Sequence, residues 1–151
     1  FEHLARRRSF DNALDLGCGT GVLGMAFARL LHRPVVATDI DPLATAKSIE
    51  NARINRAGPW MRIETANGFR SQLIADNAPY DLIFANILAR PLCTMARELA
   101  LHLAPRGTAI LAGLLGTQAR MVLAAHRRSG LVLERRIDVG PWTTLVLRRR
   151  G

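Results

Sequence analysis

Apolar and polar residues alternate along this 151-residue chain in blocks that read as strand, then helix, from one end to the other. Ala13–Leu16, apolar except for Asp15, reads as the first strand, and Val22–Leu31 after it as its helix. Val35–Thr38 predicts a second strand, bounded by Pro34 and closed by Asp39. Asp41 is a good N-cap and Pro42 suits a first helical position, so a helix is expected from Pro42 to about Arg56, where Gly58-Pro59 stops it. Arg62–Thr65 is a third strand; residues 71–78 are poorly determined, a short helix or loop. Tyr80–Ala85 is apolar except for Asp81, as a central parallel strand requires. A helix over Pro91–Leu103, a turn at Pro105-Arg106-Gly107, a buried strand at Thr108–Leu114 and a helix over Gln118–Ser129 complete the alternation.

The tail departs from it. Leu131–Asp138 and Trp142–Arg148 both read as strands, and only Val139-Gly140-Pro141 separates them. So short a link cannot carry a parallel crossover, so the two strands pair as an antiparallel hairpin. The expected fold is therefore α/β and Rossmann-like: one domain over residues 1–151, a seven-stranded, mostly parallel sheet with helices on both faces and a C-terminal antiparallel hairpin. A dinucleotide-dependent dehydrogenase would be expected to continue with further parallel units and a substrate domain.

The turn between the first strand and its helix carries the chemistry. Asp15-Leu16-Gly17-Cys18-Gly19-Thr20-Gly21 places glycines at alternate positions, so the backbone turns tightly and approaches a ligand with no Cβ in the way. The helix behind it offers unpaired N–H groups and a partial positive charge. Two ligands compete. Gly19-Thr20-Gly21-Val22-Leu23-Gly24 fits the GxGxxG dinucleotide pattern, and Asp39 lies about twenty residues on, where a ribose-binding acid belongs. The longer pattern begins at Asp15, whose carboxylate suits the cationic amino end of S-adenosylmethionine and would repel a pyrophosphate. That carboxylate favours S-adenosylmethionine.

Ligands of open α/β sheets bind outside the carboxyl ends of the strands. Asp15, Gly17, Gly19 and Gly21 close the first strand; Asp39 closes the second, placed to accept from both ribose hydroxyls, with Ile40 against the adenine face. Asn67, after the third strand, offers a donor and an acceptor to the adenine edge, or forms an ordinary Asn-Gly turn. Asn86 ends the fourth strand, and a polar group leaving so apolar a run needs a partner or a job. Its side-chain oxygen, with the backbone at Ile87, would accept hydrogen bonds from an incoming amine. Trp142, first residue of the return strand, falls on the same rim and is a candidate neighbour of the acceptor.

Composition narrows the picture. Hydrophobic residues make up 49% and charged residues 22%, as in a globular domain. No apolar run approaches the roughly 20 residues of a membrane span, and no signal peptide is evident. Cys18 and Cys93 have no metal-ligand spacing, which fits reduced thiols in a cytoplasmic protein. The net charge of +9 invites contact with RNA through an arginine-rich surface. Against that, Lys47 is the only lysine among 21 basic residues, as a proteome-wide arginine bias would give, and aromatics for base stacking are few. Arg6-Arg7-Arg8 and Arg148-Arg149-Arg150 lie near the ends, where charge is cheaply solvated.

Asn86-Ile87-Leu88-Ala89-Arg90-Pro91-Leu92, with the glycine turn and Asp39-Ile40-Asp41-Pro42, resembles the ribosomal-protein-L-11 methyltransferase family (PrmA). Gly113-Leu114-Leu115 and Trp142-Thr143-Thr144-Leu145 fit as well, so the resemblance runs over residues 12–149. It implies the class I methyltransferase layout, S-adenosylmethionine as cofactor, no metal, and N-methylation of amino groups on a ribosomal protein. The family's separate N-terminal recognition domain has no counterpart here, nor has the Gly/His/Thr-rich segment before the first strand. The expectation is a catalytic domain alone, or a short relative with another substrate. An rRNA or small-molecule N-methyltransferase, and a non-catalytic module retaining the fold, are the alternatives.

Overall fold

In the computed structural model, which describes residues 2–6 and 8–151, the seven strands form one sheet in the order β3-β2-β1-β4-β5-β7-β6. They are β1 (Ala13–Leu16), β2 (Val35–Asp39), β3 (Met61–Thr65), β4 (Tyr80–Asn86), β5 (Leu103–Leu115), β6 (Leu131–Val139) and β7 (Trp142–Arg149). β1 to β5 run parallel, and β7 pairs antiparallel with both β5 and β6. The expected architecture and hairpin are present.

A short helix, α1 (Glu2–Ala5), precedes the sheet; α2 (Val22–Leu31) and α3 (Pro42–Ile54) follow β1 and β2. Asp41 caps α3 as its position suggested, its carboxylate accepting from Leu43 N at 2.8 Å. The undetermined stretch contains α4 (Gln72–Asn77), capped by Ser71 Oγ accepting from Ile74 N at 3.1 Å. The helix expected over Pro91–Leu103 is two helices, α5 (Ala89–Thr94) and α6 (Ala96–His102), which meet at Met95. Pro91 sits in the first turn of α5, where a backbone N–H has no helical partner to lose, so the helix starts before it. Pro105-Arg106-Gly107 does not separate a helix from a strand. It lies inside β5, whose pairing with β4 shifts register between Tyr80 and Leu82. The last helix is α7 (Ala119–Arg128).

Strand alternation divides the core between the two faces. Leu14, Leu16, Ile83 and Leu111 pack with Leu92, Leu99 and Val122 of α5, α6 and α7. Ala13, Val35, Leu82 and Phe84 pack on the other side with Phe27 of α2 and Ala52 of α3. Arg7 lies outside the described residues, but neighbouring Arg8 is not a freely solvated terminal charge. Its guanidinium grips Glu134 of β6 through two bonds, of 2.6 and 2.9 Å, and donates to Thr108 Oγ1 at 3.2 Å. Arg149 likewise donates to the Leu103 carbonyl.

Candidate cofactor and acceptor site

The strand order reverses between β1 and β4, and an open cleft of about 620 Å³ lies at the carboxyl ends of the strands there. Pockets for small ligands and cofactors run from about 300 to 1,000 Å³. It is lined by Leu16, Gly17 and Thr38, by Asp39 and Ile40, by Ala66, Asn67 and Gly68, and by Ile87, Leu88, Arg90, Pro91, Thr94 and Met95.

Gly17 is held at φ +71°, with its N–H and that of Cys18 both donating to the Thr38 carbonyl at 2.8 and 2.9 Å. A Cβ there would collide with Ile87 Cγ2, so the glycine lets Ile87 sit directly on the turn. Asp39 holds the turn from the other side. One carboxylate oxygen accepts from Gly19 N at 2.8 Å and the other from Asp41 N at 3.0 Å. Each oxygen keeps a lone pair in the cleft, which fits a vicinal diol. Ile40 is 65% exposed beside it, an apolar surface suited to an aromatic ring.

Asp15 departs from expectation. It is 1% exposed and absent from the cleft wall, because Leu16 takes the cleft side of β1 and strand alternation turns Asp15 toward α2. There its carboxylate accepts from Gly24 N at 2.8 Å, and burial, with Asp39 adding repulsion, lifts its pKa to about 6. Asp15 is a brace for the turn, buried away from the residues that line the cleft. Gly21 serves packing: a Cβ on it would collide with Ser48 Oγ of α3. Gly19 borders open space, with no protein atom within 4 Å of a built Cβ. Burial and the Asp15 charge push the Cys18 thiol up to about 12, which leaves it unreactive.

Asn67 lines the cleft and forms a turn, with Arg70 N donating to its carbonyl at 3.2 Å. Asn86 is exposed at the end of β4, so desolvation does not demand a partner for it, contrary to the argument from its apolar strand. Its position is nevertheless set. A Cβ on Gly113, at φ +73°, would stand 2.5 Å from Asn86 Oδ1, so the glycine makes room for the carboxamide beside Ile87. Trp142 is 55% exposed and lies opposite Leu115 and Val139. Asn86 pairs with Ala112, three residues before Leu115, so Trp142 shares the rim but stands beyond the cleft. Leu88, Arg90, Thr94 and Met95 of the cleft wall were not anticipated; the early start of α5 brings them there. The positive φ of Gly113 was readable only as a glycine interrupting an apolar strand.

Sheet order, closing hairpin and a cleft at the switch point define a class I, Rossmann-like methyltransferase domain, whose class cofactor is S-adenosylmethionine. The sequence model described as "Ribosomal protein L11 methyltransferase (PrmA)" matches residues 2–150, and the chain belongs to that family. A ribosomal protein L11 methyltransferase of Bradyrhizobium diazoefficiens is 45% identical over 150 residues, covering 99% of this chain and 51% of the relative. The chain thus spans about half the length of the curated relatives it matches. The crystal structure of ribosomal protein L11 methylase from Lactobacillus delbrueckii subsp. bulgaricus has a TM-score of 0.81 at 27% identity, over 99% of this chain and 74% of the other. An RNA methyltransferase from Salinibacter ruber, solved with S-adenosyl-L-homocysteine, shares the fold: TM-score 0.74, 17% identity, 93% of this chain and 82% of that one.

Proposed function

We propose that residues 1–151 form the catalytic domain of an N-methyltransferase whose acceptors are amino groups of a ribosomal protein. The observation that carries the reading is the cleft itself. A carboxylate fixed by two backbone N–H groups at the end of β2 lines the cleft, and Ile87, which also lines it, directly follows the exposed carboxamide that ends β4. The relatives' names supply the acceptor class.

When bound, S-adenosylmethionine supplies a methyl group already activated by its sulfonium. Asp39 would accept hydrogen bonds from the ribose hydroxyls, Ile40 would cover the adenine and Asn67 would meet its edge. Gly17 and Ile87 line the cleft. Asn86 Oδ1, with the carbonyl of Ile87, accepts from the acceptor N–H groups and so directs the nitrogen lone pair into the cleft. Direct displacement of this kind needs alignment and a neutral amine more than a strong acid or base, so positioning supplies much of the rate. Among the described residues no group of His, Cys, Asp and Glu could hold a metal ion.

No helix among the described residues is long and apolar enough to cross a membrane, and we place the reaction in the cytoplasm, where ribosomal proteins are made. The arginine excess adds RNA as a second partner. Transfer from labelled S-adenosylmethionine to ribosomal protein L11, free rRNA and assembled subunits tests the reading. Label on protein amino groups is expected; label confined to RNA overturns the acceptor, and failure to bind the cofactor overturns the enzyme.

A further inference from the structure

At the rim opposite the cleft, where β5 and β6 begin and β7 ends, arginines converge from three elements and from the residue after β7. Arg148 Nε donates to the Arg106 carbonyl at 3.3 Å, Arg149 donates to the Leu103 carbonyl, and the Arg106 side chain lies against Gly151. Arg127, in the last turn of α7, and Arg150 line one cleft of about 400 Å³ with the start of β6. Arg106, Arg127 and Arg150 are exposed. The ion pairs among the described residues take none of these five arginines, and the nearby acid on β6, Glu134, is held by Arg8. The corner is therefore uncompensated positive charge presented as planar forks, which suit phosphate oxygens.

We propose that this corner docks the phosphate backbone of a folded, double-helical RNA. It rests on the ribosomal reading in naming RNA as the polyanion. Single-stranded RNA is bound through aromatic stacking platforms, and none lines this cleft; a duplex is read through its backbone and shape. Placement fits too. Asn86 is level with Ala112 of β5, and Tyr80, which pairs with Leu103, lies six residues earlier on β4, about 20 Å away at roughly 3.3 Å per residue. RNA held at the corner leaves the acceptor cleft open, so a protein seated on that RNA can be offered to it.

The test is fluorescence anisotropy of a labelled RNA hairpin of about 20 base pairs with the whole chain, across roughly 50–200 mM KCl. The triple variant Arg106→Gln, Arg127→Gln, Arg150→Gln is set against a control losing the same charge at the far β3 edge, Arg53→Gln, Arg56→Gln, Arg62→Gln. The corner variant is expected to bind at least about tenfold more weakly and to lower the log–log salt slope by about 2–3, at ~0.9 per phosphate contact; the control stays within about twofold. Equal losses in both variants, no binding by the wild type at low salt, or displacement of the hairpin by poly-glutamate at matched charge each overturn the proposal. Titration with S-adenosylmethionine reads the cofactor cleft separately. Unchanged affinity in both variants with no RNA effect removes the corner proposal and leaves the methyl-transfer reading standing.

Discussion

Replacing Gly17 with alanine perturbs the point where the glycine turn and the β4 loop touch. Two costs follow from the structure. The residue sits at φ +71°, where an L side chain costs about 1–2 kcal/mol. Its new methyl group also lands on Ile87 Cγ2, and overpacking of that kind costs about 1–3 kcal/mol. The sum is a stability loss of about 2–5 kcal/mol, or roughly 4–20 °C in Tm at about 2–4 °C per kcal/mol for a domain of this size. The two parts are separable. Gly19→Ala carries the backbone cost alone, since Gly19 has φ +55° and open space around it, and should lose only about 1–2 kcal/mol. In an Ile87→Ala background the collision partner is gone, so Gly17→Ala should cost no more than that backbone share. Urea denaturation of the four members of this cycle, followed by tryptophan fluorescence, gives the coupling energy directly. Additivity within about 0.5 kcal/mol would refute the claim that Ile87 rests on Gly17.

Asp39→Ala removes a charged acceptor worth about 1.5–3 kcal/mol, so calorimetry should show S-adenosylmethionine binding roughly ten- to hundredfold more weakly; wild-type affinity in a folded variant removes Asp39 from the site. Asn86→Ala should lower the rate of methyl transfer with the cofactor Kd held within a few fold, and full turnover would sink the proposed acceptor position. His126 is fully buried, with Nδ1 beside the Val122 carbonyl at 2.9 Å, and burial holds its pKa below the ordinary 6.5. The unfolded chain therefore takes up a proton that the native one refuses, and stability contributed by His126 falls as pH drops below about 6.5. Asp15, raised to about 6, works in the opposite sense. The wild type minus His126→Gln difference in denaturation midpoint, followed between about pH 5 and 8, isolates the histidine; a pH-independent difference would exclude its buried neutral state.

The fold was legible because each level of the sequence agreed with the others. The three-residue link after Asp138 left no choice but a hairpin, and Asp41-Pro42 announced a helix start that the structure keeps. Errors fell where the backbone departs from regular geometry. Pro91 looked like a helix start because proline favours that position, yet the two residues before it are already helical. Pro105-Arg106-Gly107 looked like a turn and is an irregular stretch of β5. The candidate site was legible as a set of strand ends but not as a set of directions. Asp15 sits one residue from the cleft and faces away from it, a consequence of alternation that the flanking apolar residues Leu14 and Leu16 already implied. Leu88 and Arg90 escaped notice because their place depends on where α5 begins.

Strand β7 follows β6 in the chain yet lies between β5 and β6 in the sheet. A nascent chain emerging from its amino end therefore produces β6 before β7, the strand it pairs with among the described residues, exists. Until Trp142–Arg149 appears, β5 keeps an unsatisfied edge and β6 has no strand to pair with among the described residues. If β6 added directly to β5 first, β7 would have to displace it to reach the observed order. Acquisition of this sheet order thus waits for β7. Pauses or cuts in translation upstream of it should yield a species with two competing edges, the kind that aggregates or calls on chaperones.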